Sequence, residues 1–434
     1  MPQLLSLPWE TLVGIVANLA PSQADWDNFE HEYLPDVSLY YLARTCKNFR
    51  DICLPKLYEI CNIKGVNGRR SLAILRTLAT NPHSSRWAKR VIVDGCFMLD
   101  DKKGNDVTIL SVEDSALYNR ILEEQPDAEA IGDALAYVIL ALLPGITSAI
   151  FSSQNVSLGS FKPGSFPSLE AVSLQWGDYE GGVSIEAAQG LLQAAPNLRR
   201  FICWSVRDLG EVAYPSIKEV VLTRSRVVDH SAALLPKVFP NLETLCYEDG
   251  GWIINRDGVA SPRAISKAIL DLKKTLKHVE LGTYDILDSL EPVDAADRIM
   301  NSLVQMEVLE SLRFHASFIY GDDDDDDEDE EGSDEDNDEN ENHETHLRSI
   351  MRLNEFLPLS IQNLYIEGLQ SSHLDDILAL AQSAPCGFPK LAGVVLPGLE
   401  MSMEELVGQA FKEQGIKCTF EGVYMNQYAC SEAI

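Results

Sequence analysis

"FPSLEAVSL" occupies Phe166–Leu174, and its pattern decides the fold. A Pro and a polar residue lead to an aliphatic anchor, Leu169, with apolar residues three and five positions further on. The order recurs as "APNLRRFIC" (Ala195–Cys203), "YPSIKEVVL" (Tyr214–Leu222) and "FPNLETLCY" (Phe239–Tyr247). Without the Pro, the same offsets recur at Leu276/Val279/Leu281, Leu309/Leu312/Phe314 and Ile361/Leu364/Ile366. With Pro389 they return at Leu391/Val394/Leu396, and weaker copies lie at Ala88/Val91/Val93 and Ile146/Ala149/Phe151. From Leu169 the anchors are 29, 19, 25, 34, 33, 52 and 30 residues apart, which is a repeat array of irregular period.

Offsets +3 and +5 lie two residues apart and so share one face of a short strand. Between the strands stand patterns of helical spacing: "SIEAAQGLLQAA" (184–195), "SPRAISKAILDLKKT" (261–275), "VDAADRIMNSLVQM" (293–306) and "SMEELVGQAFKEQG" (402–415). Ser402 and Glu405 in the last have capping-box spacing. Each unit is too small to bury its apolar face alone, so neighbours must stack. The expectation is an α/β solenoid of parallel strands on the concave side and helices on the convex side. Offsets +4 and +6 then turn to the concave face as Ser173/Gln175, Ile202/Trp204, Val221/Thr223, Cys246/Glu248, Glu280, Arg313/His315 and Tyr365/Glu367. Exposed aromatics and arginines dominate binding hot spots. Trp204, Arg313, His315 and Tyr365 are therefore the candidate substrate-binding residues, with Arg224 and Arg226 beside them; a plain solvated sheet face is the alternative.

Near the start, "LPWETLVGIVANL" (Leu7–Leu19) places Leu12, Ile15, Val16 and Leu19 on one helix face, entered through Pro8. In "VSLYYLARTCKNFRDICLPKLY" (Val37–Tyr58), Leu39, Leu42, Cys46 and Phe49 form a second stripe, and Pro55 is expected to stop the run. Fewer than sixty residues cannot make a full core. These helices must cap the array or offer an apolar face to another protein.

Charge narrows the partners. Asp322–Glu344 carries 17 acidic residues; without them the net charge of −32 falls to −15. With no basic cluster to neutralise phosphates, nucleic acid is not an expected partner, and a basic protein fits better. The tract is expected to be a disordered insertion over residues 321–346, either a steering device or a tolerated solubilising loop. Asp327, Asp329, Glu331, Gly332 and Asp338 imitate a calcium loop by count but lack its apolar eighth position, and His343 and His346 read as solvated. Nine scattered cysteines without a CxxC pair, and no leader sequence, imply reduced thiols in the cytoplasm or nucleus. "ALAYVILALLPGITSAIF" (Ala134–Phe151) is broken by Pro144-Gly145 and reads as a buried helix ending near Leu143 and then a strand, not a membrane span. No P-loop, GxGxxG, HExxH or GxSxG motif occurs, so neither catalysis nor a cofactor or metal is expected.

The N-terminal residues resemble an F-box: Leu7, Pro8, Glu10, Leu12, Ile15 and Leu19, then Leu42, Thr45-Cys46-Lys47, Phe49 and Arg50, closing on "LPKLY" (Leu54–Tyr58). The segment between the helices is about ten residues longer than is usual in that family, and Phe49 replaces the commoner Trp. The array from Arg86 to Phe420 resembles leucine-rich repeats in a degenerate form that lacks most of the family's turn-capping Asn. F-box proteins with leucine-rich repeats, in a form common in fungi, are substrate receptors of Skp–cullin–F-box ubiquitin ligases. The resemblance implies an F-box module over 1–60, a linker helix over 61–85 and the repeats over 86–434. It implies that Leu7, Pro8, Glu10, Leu12, Ile15, Leu19, Leu42, Cys46 and Phe49 bind the Skp adaptor and through it a cullin. A protein substrate would sit on the repeats, and ubiquitin transfer would belong to the partners. An acidic scaffold for basic proteins, independent of ubiquitin, is the competing expectation.

Overall fold

The computed structural model describes residues 7–19, 37–64, 74, 76–94, 139–152, 161–175, 183–250, 260–283, 299–321 and 351–421. It is a mixed α/β structure dominated by one twelve-stranded sheet. Among the described residues the strands are β1 (Ile60–Lys64), β2 (Arg90–Asp94), β3 (Ser148–Ser152), β4 (Ala171–Gln175), β5 (Val183–Ser184), β6 (Arg200–Trp204) and β7 (Val206–Asp208). They continue with β8 (Glu219–Ser225), β9 (Thr244–Asp249), β10 (His278–Thr283), β11 (Ser311–His315), β12 (Asn363–Glu367), β13 (Gly393–Val395) and β14 (Lys417–Thr419). Only β5 and β7 leave the large sheet, pairing with each other. All other neighbours are parallel, and each strand lies beside the preceding strand of that sheet.

One backbone device repeats at every step of the large sheet but the last. Two successive N–H groups entering a strand donate to a single carbonyl before the previous strand: Lys89 and Arg90 to Glu59, Arg199 and Arg200 to Glu170, Gln362 and Asn363 to Glu310. Where the unit reads Pro-Asn-Leu, the Asn side chain reinforces the step. Asn197 Nδ2 donates to Pro167 O at 2.8 Å, and Asn241 Nδ2 to Pro215 O at 2.9 Å. The +3 and +5 residues, from Val172 and Leu174 to Val394 and Leu396, are all buried in one continuous core running from Cys61 to Ile416. Phe201 stacks on Phe239, and Phe314 packs on Phe356, within that core.

Helices close the core side. The longest are Pro262–Asp271, Leu374–Gly387 and Met401–Glu413. Ser261 caps the first, accepting from Ala264 N at 3.2 Å. The expected capping box of the last is absent. That helix begins one residue earlier than Ser402, which lies inside it and donates to Glu400 Oε2 at 3.4 Å. Of "VDAADRIMNSLVQM", residues 293–298 lie outside the described residues, and 299–306 are not helical. Met300, Leu303 and Met306 are buried there, but long-range bonds replace a helical ladder: Met300 N to Phe318 O, and Leu303 N to Phe356 O, both at 2.9 Å. Ile139–Ala141 is helical, Leu143 is buried and β3 follows, in keeping with the reading of Ala134–Phe151; residues 134–138 are outside the described set.

The N-terminal helices are α1 (Trp9–Leu19), α2 (Val37–Ala43) and α3 (Lys47–Leu57). They enclose a second, separate cluster of Leu12, Val16, Leu39, Ala43, Phe49, Ile52 and Cys53. The break between α2 and α3 falls at Arg44–Cys46, where Thr45 Oγ1 donates to Leu42 O at 2.7 Å and competes with the helical ladder. Pro55, expected to end the run, is inside the last turn of α3. The sheet also begins earlier than expected: β1 lies within the stretch read as a linker helix over 61–85, although residues 76–80 and Pro82–Ser85 there are helical.

Candidate functional site

Two surfaces carry the side chains that the sequence singles out. The first belongs to the helical module. Leu7 (36 % exposed), Trp9 (52 %), Val13 (40 %), Tyr40 (52 %) and Tyr41 (61 %) are large apolar residues left on its surface. Tyr40 and Tyr41 meet edge to face, and the Arg44 guanidinium lies over the Tyr40 ring at 5.5 Å. Pro8 and Glu10 are exposed, and Ile15, Leu19, Leu42 and Cys46 are half-buried. Leu12 and Phe49 are each only 3 % exposed, so they hold the module together and cannot meet a partner directly. The pattern of apolar steps found the buried stripe. It passed over Trp9, Val13, Tyr40 and Tyr41, which lie off that stripe and are for that reason exposed.

The second surface is the sheet face turned away from the main core. Strand register aligns Ser173, Ile202, Val221, Cys246, Glu280, Arg313 and Tyr365 in one row across β4, β6, β8, β9, β10, β11 and β12. Its middle is apolar: Ile202, Val221 and Cys246 form a small cluster of their own, with Trp204 packed against it. Its far end is ionic. Arg313 Nη1 lies 3.2 Å from Glu280 Oε1, Nη2 lies 2.5 Å from Glu367 Oε1, and the guanidinium sits 4.0 Å from the centre of the Tyr365 ring. Cys246 Sγ donates to Glu280 Oε2 at 3.7 Å, joining the apolar and ionic parts.

A second cation–aromatic pair lies four strands away. Arg224 holds its guanidinium 5.7 Å from the Trp204 ring. The backbone makes this pairing. Pairing of β8 with β9 shifts register between Leu222 and Ser225, and Arg224 itself has φ 47, while Ser205 after Trp204 has φ 55. Buried Ser225 braces the irregularity, accepting from Val206 N at 3.2 Å and donating to Thr223 O at 3.1 Å. His315 follows Arg313 by two residues on β11. Its Nδ1 is 2.8 Å from Ser317 Oγ, and its ring fills the space over Gly368, where a Cβ would come within 2.0 Å of Nε2.

Two neighbouring carboxylates of β9, Glu248 on this face and Asp249 after it, carry raised pKa values. Burial pushes Glu248 up, and nearby Glu280 adds to it, against the pull of Arg224. Burial likewise raises Asp249 to about 6. The Tyr365 hydroxyl is pushed up to about 12, chiefly by burial. Ser173 Oγ and Thr223 Oγ1 are buried on this face with no hydrogen-bond partner among the described residues. Of the five substrate-binding candidates, the structure brings Arg313 together with Tyr365, sets His315 two residues further along β11 against Ser317 and Gly368, and separately places Arg224 on Trp204. Glu248, Glu280 and Glu367 belong to the same surface, and the emphasis on aromatics and arginines gave them too little weight.

Among the described residues, no group of three or more His, Cys, Asp or Glu side chains is placed to hold a metal ion, and no helix is long and apolar enough to cross a membrane. The acidic tract, with His343 and His346, lies outside the described residues. No protein-family model matches the chain, and no curated protein matches it.

Proposed function

We propose that this chain is a substrate-recognition subunit of a Skp–cullin–F-box ubiquitin ligase. In this reading the helical module is an F-box that docks on a Skp adaptor. The parallel strand–helix array is a leucine-rich-repeat solenoid whose second face holds a protein substrate, and ubiquitin transfer belongs to partner subunits. The protein would act in the cytoplasm or nucleus.

One observation carries the proposal. The N-terminal helices close a core of their own and still leave Leu7, Trp9, Val13, Tyr40 and Tyr41 exposed, beside the Leu-Pro opening that resembles an F-box. Large apolar side chains grouped on a small module favour association, at about 1.5–3 kcal/mol gross for each one that becomes fully buried. A cap that served only to cover the end of the sheet would turn such residues inward. The test is recovery of the tagged full chain from eukaryotic cells and identification of co-purifying proteins. The expected result is a Skp-type adaptor with a cullin; their consistent absence would remove the proposal. The competing reading, an acidic scaffold for basic proteins, predicts recovery of basic proteins alone, with binding that falls steeply with salt.

A further inference from the structure

We infer that the second face of the sheet recognises an extended, unphosphorylated peptide segment that carries a Lys or Arg next to apolar residues. The inference rests on the receptor reading and gives its substrate a chemistry. Arg313 would be the natural reader of a phosphate, since guanidinium and phosphate match in geometry. Here it is already engaged: Glu280 and Glu367 take two of its nitrogens, and the Tyr365 ring covers its plane. A phosphate arriving there would have to displace two carboxylates and would meet their charge.

The surroundings favour a cation instead. Around the row stand four carboxylates, Glu219, Glu248, Glu280 and Glu367, against three guanidinium groups, Arg200, Arg224 and Arg313. Glu248 lies opposite Gly282 in the β9–β10 register, so the neighbouring strand places no side chain beside it. Its proton affinity is raised because burial penalises its charge. A ligand ammonium or guanidinium would relieve that penalty. Beside the carboxylates the half-buried Trp204 packs over the buried cluster Ile202–Val221–Cys246, and its ring suits the stem of a lysine. The row from Ser173 to Tyr365 crosses six strand steps of about 4.8 Å, a span of roughly nine extended residues.

The experiment uses the full chain and three labelled nonapeptide libraries, with lysine, glutamate or phosphoserine fixed at the centre. The lysine library should be retained best. Glu248→Gln and Glu280→Gln should each weaken it by about tenfold, the loss of one charge-assisted hydrogen bond. Arg313→Gln should strengthen retention, because it frees two carboxylates; thermal unfolding of each variant, with Arg313→Met as a second form, separates this from misfolding. Three outcomes overturn the inference: preference for phosphoserine that Arg313→Gln abolishes, lysine retention indifferent to both glutamine variants (which places it on Asp322–Glu344), or no retention of any library. Adaptor recovery is measured on the same preparations. Failed peptide binding with the adaptor retained removes only the substrate chemistry. Lysine binding without the adaptor removes the ligase role and leaves the cation site.

Discussion

Arg313 shows how one side chain can organise a surface. Removing it leaves Glu280 and Glu367 facing one another without a cation and strips the Tyr365 ring of its partner. Arg313→Ala should therefore lower stability by about 1–3 kcal/mol, read as a shift in denaturant midpoint. Lysine should not restore it, since a single ammonium cannot span two carboxylates and stack on the ring. Asp249 makes a different claim. Its pKa is raised from 3.8 to about 6, so the folded state holds its proton more tightly than the unfolded chain. Its contribution to stability is then lost as pH rises from about 4 to about 6. Asp249→Asn should be more stable than the parent above pH 6, by on the order of 1–3 kcal/mol, and the gap should close near pH 4 in thermal unfolding. No change in that gap across the range would show that Asp249 titrates normally.

Among the elements, strands were far more legible than helices. The offsets at Leu169, Leu198, Ile217, Leu242, Leu276, Leu309, Ile361 and Leu391 each precede a strand of the large sheet, and even the weak copies near Ala88 and Ile146 precede β2 and β3. A period of two survives because both apolar residues enter the same core. The strands that escaped notice have no such anchor: β1 follows directly on Tyr58-Glu59, β14 is only Lys417–Thr419, and β5 and β7 pair outside the large sheet. Helical spacing misled at Ile299–Met306, because buried residues three apart also suit a chain bonded to Phe318 and Phe356. On the second face, alternation identified Arg313 and Tyr365, but it could not foresee that glutamates would occupy the guanidinium. The contacts between elements are equally open to test. The Asp376 carboxylate accepts from Tyr320 Oη at 2.6 Å and Leu353 N at 2.9 Å, tying together the chain on both sides of residues 322–350. Asp376→Ala should cost about 2–4 kcal/mol, and Tyr320→Phe a smaller part of that, measured by chemical unfolding.

At the scale of the whole molecule, the proposed division of labour rests on two separate cores, one in the helices α1–α3 and one beneath the sheet. Which residues of the helical module stay outside was not legible from the pattern, because a stripe of apolar residues marks what a helix buries. Trp9, Tyr40 and Tyr41 had to be located in three dimensions. Trp9 and Tyr40 are 52 % exposed and Tyr41 61 %, so replacing each should cost about 1–2 kcal/mol, less than truncating a fully buried aromatic residue. The direct test is titration of a purified Skp adaptor against the full chain and against a Leu7→Ala, Trp9→Ala, Tyr41→Ala variant. The account predicts micromolar or tighter binding to the parent, and at least about a hundredfold loss in a variant that still unfolds cooperatively. Equal affinity for both proteins, or no affinity for the parent, would contradict it.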